Sequence, residues 1–143
     1  MVFNLDTLVA MGGGGALLVR TYVPAVGVAV GKFVYQMSDG RVALADATSE
    51  LTAPSLGVVT TMDAPVSGQC VVRYDGDADV FTGLVAGEVY VLSTIPGAIV
   101  MESADPDTTP GYPKTSGNIW QDVGIALSST TLFVGAVREM EGV

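Results

Sequence analysis

The chain has 143 residues, a length that accommodates one compact domain with a short appendage or two very small β modules. Hydrophobic residues make up 49% of the chain and charged residues only 15%, whereas soluble domains usually carry about a quarter charged residues. A domain of this size cannot bury so much apolar side chain in its own core, so we expect part of its apolar surface to face another protein chain. A monomer rich in Val, Ala and Gly is the alternative.

The distribution of charged and apolar residues argues against a nucleic-acid partner and against a membrane partner. The net charge is −9, and the six lysines and arginines are scattered along the chain. Nucleic acids are bound mainly by clustered Lys and Arg, which neutralise phosphates, so we expect no contact with nucleic acid. The apolar stretch 7–19 contains four glycines and is closed by Arg20, and no basic segment precedes it. It therefore predicts neither a spanning helix nor a signal peptide, and we expect synthesis in the cytoplasm.

The residue types needed for common catalytic centres are missing. The sequence has no histidine, and Cys70 is its only cysteine. Nucleophile–base pairs, Cys/His zinc sites and an intrachain disulfide therefore cannot be assembled. Lys32 and Lys114 leave a Ser–Lys arrangement formally open, but no motif places either beside a serine nucleophile. We expect no enzymatic activity and no cofactor, and Cys70 is predicted to be a small buried hydrophobe in a strand.

The N-terminal segment differs from the rest of the chain. Residues 1–11 are mostly apolar and predict a helical turn or an extended arm, and the four glycines at 12–15 predict a flexible hinge. The continuation has no Lys and no Ser or Thr, which argues against a phosphate-binding loop. We divide the chain into an arm with its hinge, residues 1–15, and a β domain, residues 16–143.

From residue 17 onward, β-branched residues alternate with clusters of Gly, Pro, Asp and Ser, a pattern typical of short strands joined by turns. Tight turns are predicted at Gly40 and Gly97, because glycine accepts a positive φ. This spacing predicts an all-β fold, a small β-sandwich or β-barrel. The predicted strands are residues 17–23, 26–30, 33–37, 42–45, 57–61, 69–74, 80–81, 89–93, 99–101, 119–127 and 131–137.

The second half of the β domain partly repeats the first. Residues 31–38 resemble residues 87–93, with Tyr35 and Tyr90 in matching positions. Each segment is followed by a turn glycine, an apolar strand, a stretch with proline and a strand led by glycine. We predict one strand–turn–strand unit used twice, so that two small sheets pack face to face, with chance similarity between Val/Gly-rich segments as the alternative. The predicted repeats are residues 26–80 and 81–143.

Three aspartates form the densest acidic cluster. Asp75, Asp77 and Asp79 have the spacing of the first three ligands of a calcium loop. The positions where an EF-hand has Gly and Glu are Val80 and Ala86, however, and no flanking helices are predicted. Because Asp and Gly also form hairpin tips, a turn is the default prediction for this segment.

Two aromatic residues of the C-terminal part are candidates for a contact. Tyr112 lies in a long loop, and Trp120 lies at the entry of a predicted strand. Exposed aromatic rings stack on sugars, but rings at such positions also serve in a core or a subunit contact. We favour the core or subunit contact.

Residues 86–137 carry a resemblance to a known family. They contain Gly-x-x-Tyr-hydrophobic-x-Ser at 87–93, a turn glycine at Gly97, and Val-Gly-x-Ala-x-Ser-x-Thr-x-Leu at 123–132. This pattern resembles a β-rich module of tailed-bacteriophage virion proteins. Capsid decoration (cement) proteins, head fibres and tail-fibre tips contain such modules, often as homotrimers. The resemblance covers the C-terminal third to half of the chain.

The resemblance implies a structural virion protein. The first hypothesis is a capsid decoration protein, made in the host cytoplasm, which binds the major capsid protein on the capsid surface and stabilises the head as a homotrimer. The alternative is a receptor- or glycan-binding tip of a phage head or tail fibre, which would use Tyr112 and Trp120. A third hypothesis is a calcium-dependent adhesion module. The arm residues predicted to contact the capsid are Val2, Phe3, Leu5, Leu8 and Val9.

Overall fold

The computed structural model describes residues 18–135 and 140–143, which form ten β-strands and no helix. The strands belong to one strongly curled antiparallel sheet that forms a half-barrel, so the predicted all-β class is confirmed. Among these residues there is no helix with the length and apolar character of a membrane span. The strands are β1 (Leu18–Tyr22), β2 (Phe33–Gln36), β3 (Val42–Leu44), β4 (Gly57–Met62), β5 (Cys70–Ala78), β6 (Val89–Leu92), β7 (Ile99–Met101), β8 (Ile119–Ala126), β9 (Leu132–Val134) and β10 (Met140–Gly142).

The strand order is the same in the two halves of the sheet. The path runs β3-β2-β4-β5-β9-β8-β6-β7, with β1 added to β5 and β10 added to β8. The first quartet, β2 to β5, thus has the order β3-β2-β4-β5, and the second quartet, β6 to β9, has the order β7-β6-β8-β9. Duplication of one four-strand unit would produce the same strand order in both quartets. The division into repeats at residues 26–80 and 81–143 stays a prediction. The tyrosines do not match in register, because Gly57 faces Val34 whereas Gly124 faces Tyr90.

The long strand β5 joins the two quartets. Its first part pairs with β4 on one edge and β1 on the other, and its last residues, Gly76 to Ala78, pair with β9. Gly76 has a φ of 100° and lies where the partner changes from β1 to β9. Glycine adopts this left-handed conformation at low cost, which allows the strand to bend. The turn predicted around Asp77 is therefore wrong, because pairing with a distant strand extends this segment.

Glycine conformation also explains why a second predicted segment, residues 26–30, differs from the structure. Residues 26–30 were predicted as a strand but form two consecutive turns, in which Val28 N donates to Ala25 O and Lys32 N donates to Ala29 O. Gly27 and Gly31 both have positive φ, which interrupts the extended run of valines. Residues 80–81 also lie outside the strands, and β10 was not predicted. The turns predicted at Gly40 and Gly97 are confirmed, with φ of 92° and 78°.

Two apolar cores lie on opposite faces of the sheet. The larger core lies inside the curl and takes side chains from both quartets, among them Phe33, Leu92 and Leu132. The smaller core lies on the outer face of the first quartet, where Val28 covers Val34, Val59 and Val72 together with the buried Cys70. Because side chains alternate along a strand, Phe33 enters the larger core and Val34 the smaller. The first quartet is therefore buried on both faces.

Main-chain hydrogen bonds fasten the β6–β7 turn to the first quartet. Gly97 N donates to Ala45 O at 2.7 Å, and Phe33 N donates to Gly97 O at 3.0 Å. Ala47 N donates to Ser93 O at 2.8 Å. The curl is therefore held by the β5–β9 pairing, by this turn, and by β8, where Ile119 N donates to Ala47 O at 2.8 Å.

Gly57 is expected to tolerate no side chain. A Cβ there would overlap the carbonyl oxygen of Arg73 and lie 2.8 Å from its carbonyl carbon, both on the neighbouring strand β5. We expect Gly57→Ala to lower the free energy of unfolding in urea by about 2–4 kcal/mol. The control is Gly142→Ala, because nothing lies within 4 Å of the added carbon there. Equal stability of the two variants would contradict the close approach.

Tyr22 is expected to make the fold sensitive to alkaline pH. Burial raises the pKa of the Tyr22 phenol above its usual value of 10.0, while the Arg20 guanidinium opposes the change. A phenol with a higher pKa in the folded state contributes stability that is complete below pH 10.0 and is lost as pH rises through the folded pKa. We expect the free energy of unfolding in urea to fall above that pH, and to fall less in Tyr22→Phe. The same pH slope in both proteins would contradict this expectation.

Candidate interaction surface

The segment proposed to bind calcium is part of the sheet and its continuation. Asp75 lies opposite Leu18, and Asp77 lies opposite Phe133. The Asp79 carboxylate accepts a hydrogen bond from Thr131 Oγ1 at 3.1 Å. Within the described ranges, no group of three or more Asp, Glu, Cys or His side chains is placed to hold a metal ion. The calcium hypothesis therefore finds no ligand set at these aspartates.

The structure brings Tyr112 and Trp120 together. Their ring centroids are 5.8 Å apart with an angle of 59° between the planes, and Tyr112 OH donates to Glu102 O at 2.7 Å. Burial raises the pKa of the Tyr112 phenol, and the Glu102 carboxylate adds to the increase. Both residues are partly buried, and each ring covers part of the other. The pair thus packs the long loop onto β8 and does not form an open stacking platform.

A polar depression lies beside this aromatic pair. It has a volume of about 530 Å³ and opens widely to solvent. The buried Ser93 fixes Gly111, which lines the depression, because Ser93 Oγ donates to Gly111 O and accepts from Ile95 N, both at 2.9 Å. Trp120 does not line the depression. The side chains around it include those of Thr94, Asp107, Tyr112, Lys114 and Asn118.

A row of apolar side chains is exposed on the outer face of the second quartet. Val89 lies opposite Ile125, and Ile125 lies opposite Phe133, so the three residues form one row across β6, β8 and β9. Ile125 is 46% exposed and Phe133 is 45% exposed. Together they line a shallow depression of about 240 Å³. We call these three residues the outer apolar face.

The two quartets differ in what covers their outer faces. Val28, from the two turns that precede β2, packs on the outer side of the first quartet. Ile125 and Phe133 have no such cover among residues 18–135 and 140–143. The exposed Asp122 lines the shallow depression, and the exposed Asp77 continues the row beyond Phe133. Because Arg73 Nη1 donates to Asp77 O, the acidic margin of the outer apolar face is formed by Asp122.

The predicted capsid contacts belong to the N-terminal segment. Val2, Phe3, Leu5, Leu8 and Val9 lie outside the described residues, as do the glycines of the predicted hinge. The described chain begins at Leu18, opposite Asp75 on β5. These contacts stay a prediction.

Sequence reasoning did not find the outer apolar face. A strand with one face in water alternates apolar and polar residues, whereas β9 reads Leu-Phe-Val and has no polar position. This run indicates apolar surface on both sides of the strand. Which side stays open depends on the pairing of β8 with β9 and on the missing cover, and neither can be read from the run itself.

Comparison of the chain with family models, with curated proteins and with solved structures finds no match. We therefore infer the function from the fold, the exposed surface and the motifs of residues 86–137.

Tyr112 is expected to hold the long loop through its hydroxyl and its ring separately. Tyr112→Phe removes the hydrogen bond to Glu102 O, and we expect a loss of about 1 kcal/mol in the free energy of unfolding. Its folded state should keep the Trp120 fluorescence maximum, because the ring remains. Tyr112→Ala should shift that maximum to longer wavelength by exposing the indole. An unshifted maximum in Tyr112→Ala would contradict the packing of the two rings.

Proposed function

We propose that the chain is a structural protein of a tailed-bacteriophage particle. It acts as a capsid decoration protein, which binds the major capsid protein on the head surface and stabilises the shell as a homotrimer. The observation that carries the proposal is the outer apolar face, where Ile125 and Phe133 face each other on neighbouring strands and are 46% and 45% exposed. Contiguous apolar surface of this kind marks a protein contact. The motifs at 87–93 and 123–132 support the phage assignment.

Two features of the chain support attachment to a repetitive shell. A decoration protein needs a rigid body that contacts its own copies and a second element that contacts the shell. The curled sheet supplies the rigid body, and the apolar segment 1–11 supplies the proposed shell contact. Three such segments on one trimer bind at a high effective concentration, so weak individual contacts give firm attachment.

The decoration proposal predicts that apolar residues near the N-terminus control binding to the shell. The assay is co-sedimentation with emptied heads of the phage that encodes the chain. We expect the wild type to bind and the double variant Phe3→Asp, Leu8→Asp to lose at least about 90% of bound protein, because two charges replace buried apolar contacts. The control, Asn4→Asp with Thr7→Asp, adds the same charge and should bind normally.

The possible outcomes test the N-terminal contact and the decoration role separately. Equal binding by the two double variants rejects the N-terminal contact and keeps the decoration role. A wild-type chain that does not bind the heads contradicts the decoration role itself.

The polar depression beside Tyr112 favours a second candidate function, a glycan- or receptor-binding fibre tip. The hydroxyl, amide and charged groups of Thr94, Lys114 and Asn118 could bind a sugar there. A glycan-array signal that disappears in Asn118→Ala would support this candidate. The absence of any signal with the wild type would count against it.

A further inference from the structure

The outer apolar face needs an occupant whose surface matches its shape and its charge. It offers one row of apolar side chains, Val89, Ile125 and Phe133, at a shallow depression of about 240 Å³. Asp122 lies in that depression, and among residues 18–135 and 140–143 no Lys or Arg lines it. Asp77 lies at the end of the row, where Arg73 Nη1 donates to its carbonyl oxygen. A fitting partner therefore presents a small apolar projection accompanied by positive charge.

The same chain carries such a projection on its other half. The two turns of residues 23–32, here called the two-turn segment, expose three valines. Val26 is 100% exposed and Val30 is 46% exposed, each at the tip of one turn, and Val23 is 48% exposed. Val28 alone points inward and anchors the segment to the smaller core. Exposed valines on a small protein of low charge content mark a second contact surface.

The two-turn segment is held firmly and is positively charged. Gly31 N donates to Val59 O at 2.8 Å, and Val59 N donates to Lys32 O at 2.9 Å, so the second turn is fastened to β4. The exposed Lys32 is the only charged residue of the segment. A preorganised segment loses little conformational entropy when it binds.

Charge decides between the two ways in which copies can meet through these surfaces. Two outer apolar faces placed against each other would bring the acidic margins of both copies together, which is unfavourable. An outer apolar face placed against the two-turn segment brings Lys32 of one copy towards Asp122 of another. The head-to-tail contact is therefore the complementary one.

We propose that the outer apolar face binds the two-turn segment of a second copy of this chain. Such a head-to-tail contact uses two different surfaces of each copy and closes into a ring when the rotation permits. The inference rests on the proposed function, since it names the self-contact of the proposed homotrimer. The N-terminal segment then remains available for the shell.

The test uses light scattering on the full chain, with one variant on each surface. The wild type should have the mass of a trimer, 3 × 14.6 = 43.8 kDa. Ile125→Asp alters the outer apolar face, and Val26→Asp alters the two-turn segment. Both should have the monomer mass of 14.6 kDa, a threefold loss. Val26 has no buried surface to lose, and circular dichroism should show a native spectrum for both. The control Leu51→Asp changes a residue that is 82% exposed and belongs to neither surface, so it should stay trimeric.

Mixing the two monomeric variants distinguishes the head-to-tail contact from any other. The Ile125→Asp chain keeps an intact two-turn segment, and the Val26→Asp chain keeps an intact outer apolar face. An equimolar mixture should therefore form a dimer of 2 × 14.6 = 29.2 kDa through the single intact contact. A mixture that stays monomeric overturns the inference, as does a wild type that is monomeric or an Ile125→Asp variant that stays trimeric.

Charge exchange gives an independent arm of the test. Lys32→Glu should weaken the trimer, and Asp122→Lys in the same chain should restore it. A double variant no more stable than Lys32→Glu overturns the proposed pairing. Wild-type binding to emptied heads is measured separately, so a failed self-contact and a failed decoration role remain distinguishable.

Discussion

The pairing of β5 with β9 is the constraint on which the rest of the molecule depends. Within the part of the chain that the structure describes, three residue pairs make this junction, from Gly76 opposite Val134 to Ala78 opposite Leu132. They nevertheless unite two quartets of the same strand order into one sheet. Gly76 lets β5 leave its pairing with β1 and continue towards β9. Without this bend the larger core, which combines Phe33 from one quartet with Leu132 from the other, could not close.

The two quartets share a strand order but have different roles. The first is covered on both faces and holds the two-turn segment in place through Val28 and Val59. In the second, β6 is buried at Tyr90, Val91 and Leu92, but the outer sides of β8 and β9 present Ile125 and Phe133 to solvent. A symmetric pair of units would hide or expose both outer faces alike. The asymmetry gives one chain a projecting surface and a receiving surface.

Local sequence patterns correctly predicted those strands that begin or end at a turn glycine. The strand predicted at 99–101 and the one predicted at 33–37 occur almost unchanged, because the turn glycines Gly40 and Gly97 delimit them. The pattern failed at residues 26–30, where two glycines with positive φ outweighed the β-branched run. The turn predicted at Asp77 was also wrong, because this segment pairs with β9 and forms the end of strand β5. The apolar excess of the composition predicted a partner-facing surface, but its position required the β8–β9 register and the location of Val28.

The long-range closure of the sheet also bears on when the protein can fold. The partner of Gly76 is Val134, and the larger core includes Leu132 and Val134, more than 50 positions after Gly76 in the chain. While the ribosome is still adding those residues, the end of β5 lacks its partner and the first quartet lacks the side chains that fill its inner face. A nascent chain therefore reaches its native core only after residues 132–134 have been synthesised and have left the ribosome. A fold dominated by such distant pairings forms slowly and exposes strand edges meanwhile. The low content of basic residues and the net charge of −9 help keep neighbouring unfinished chains apart during that interval.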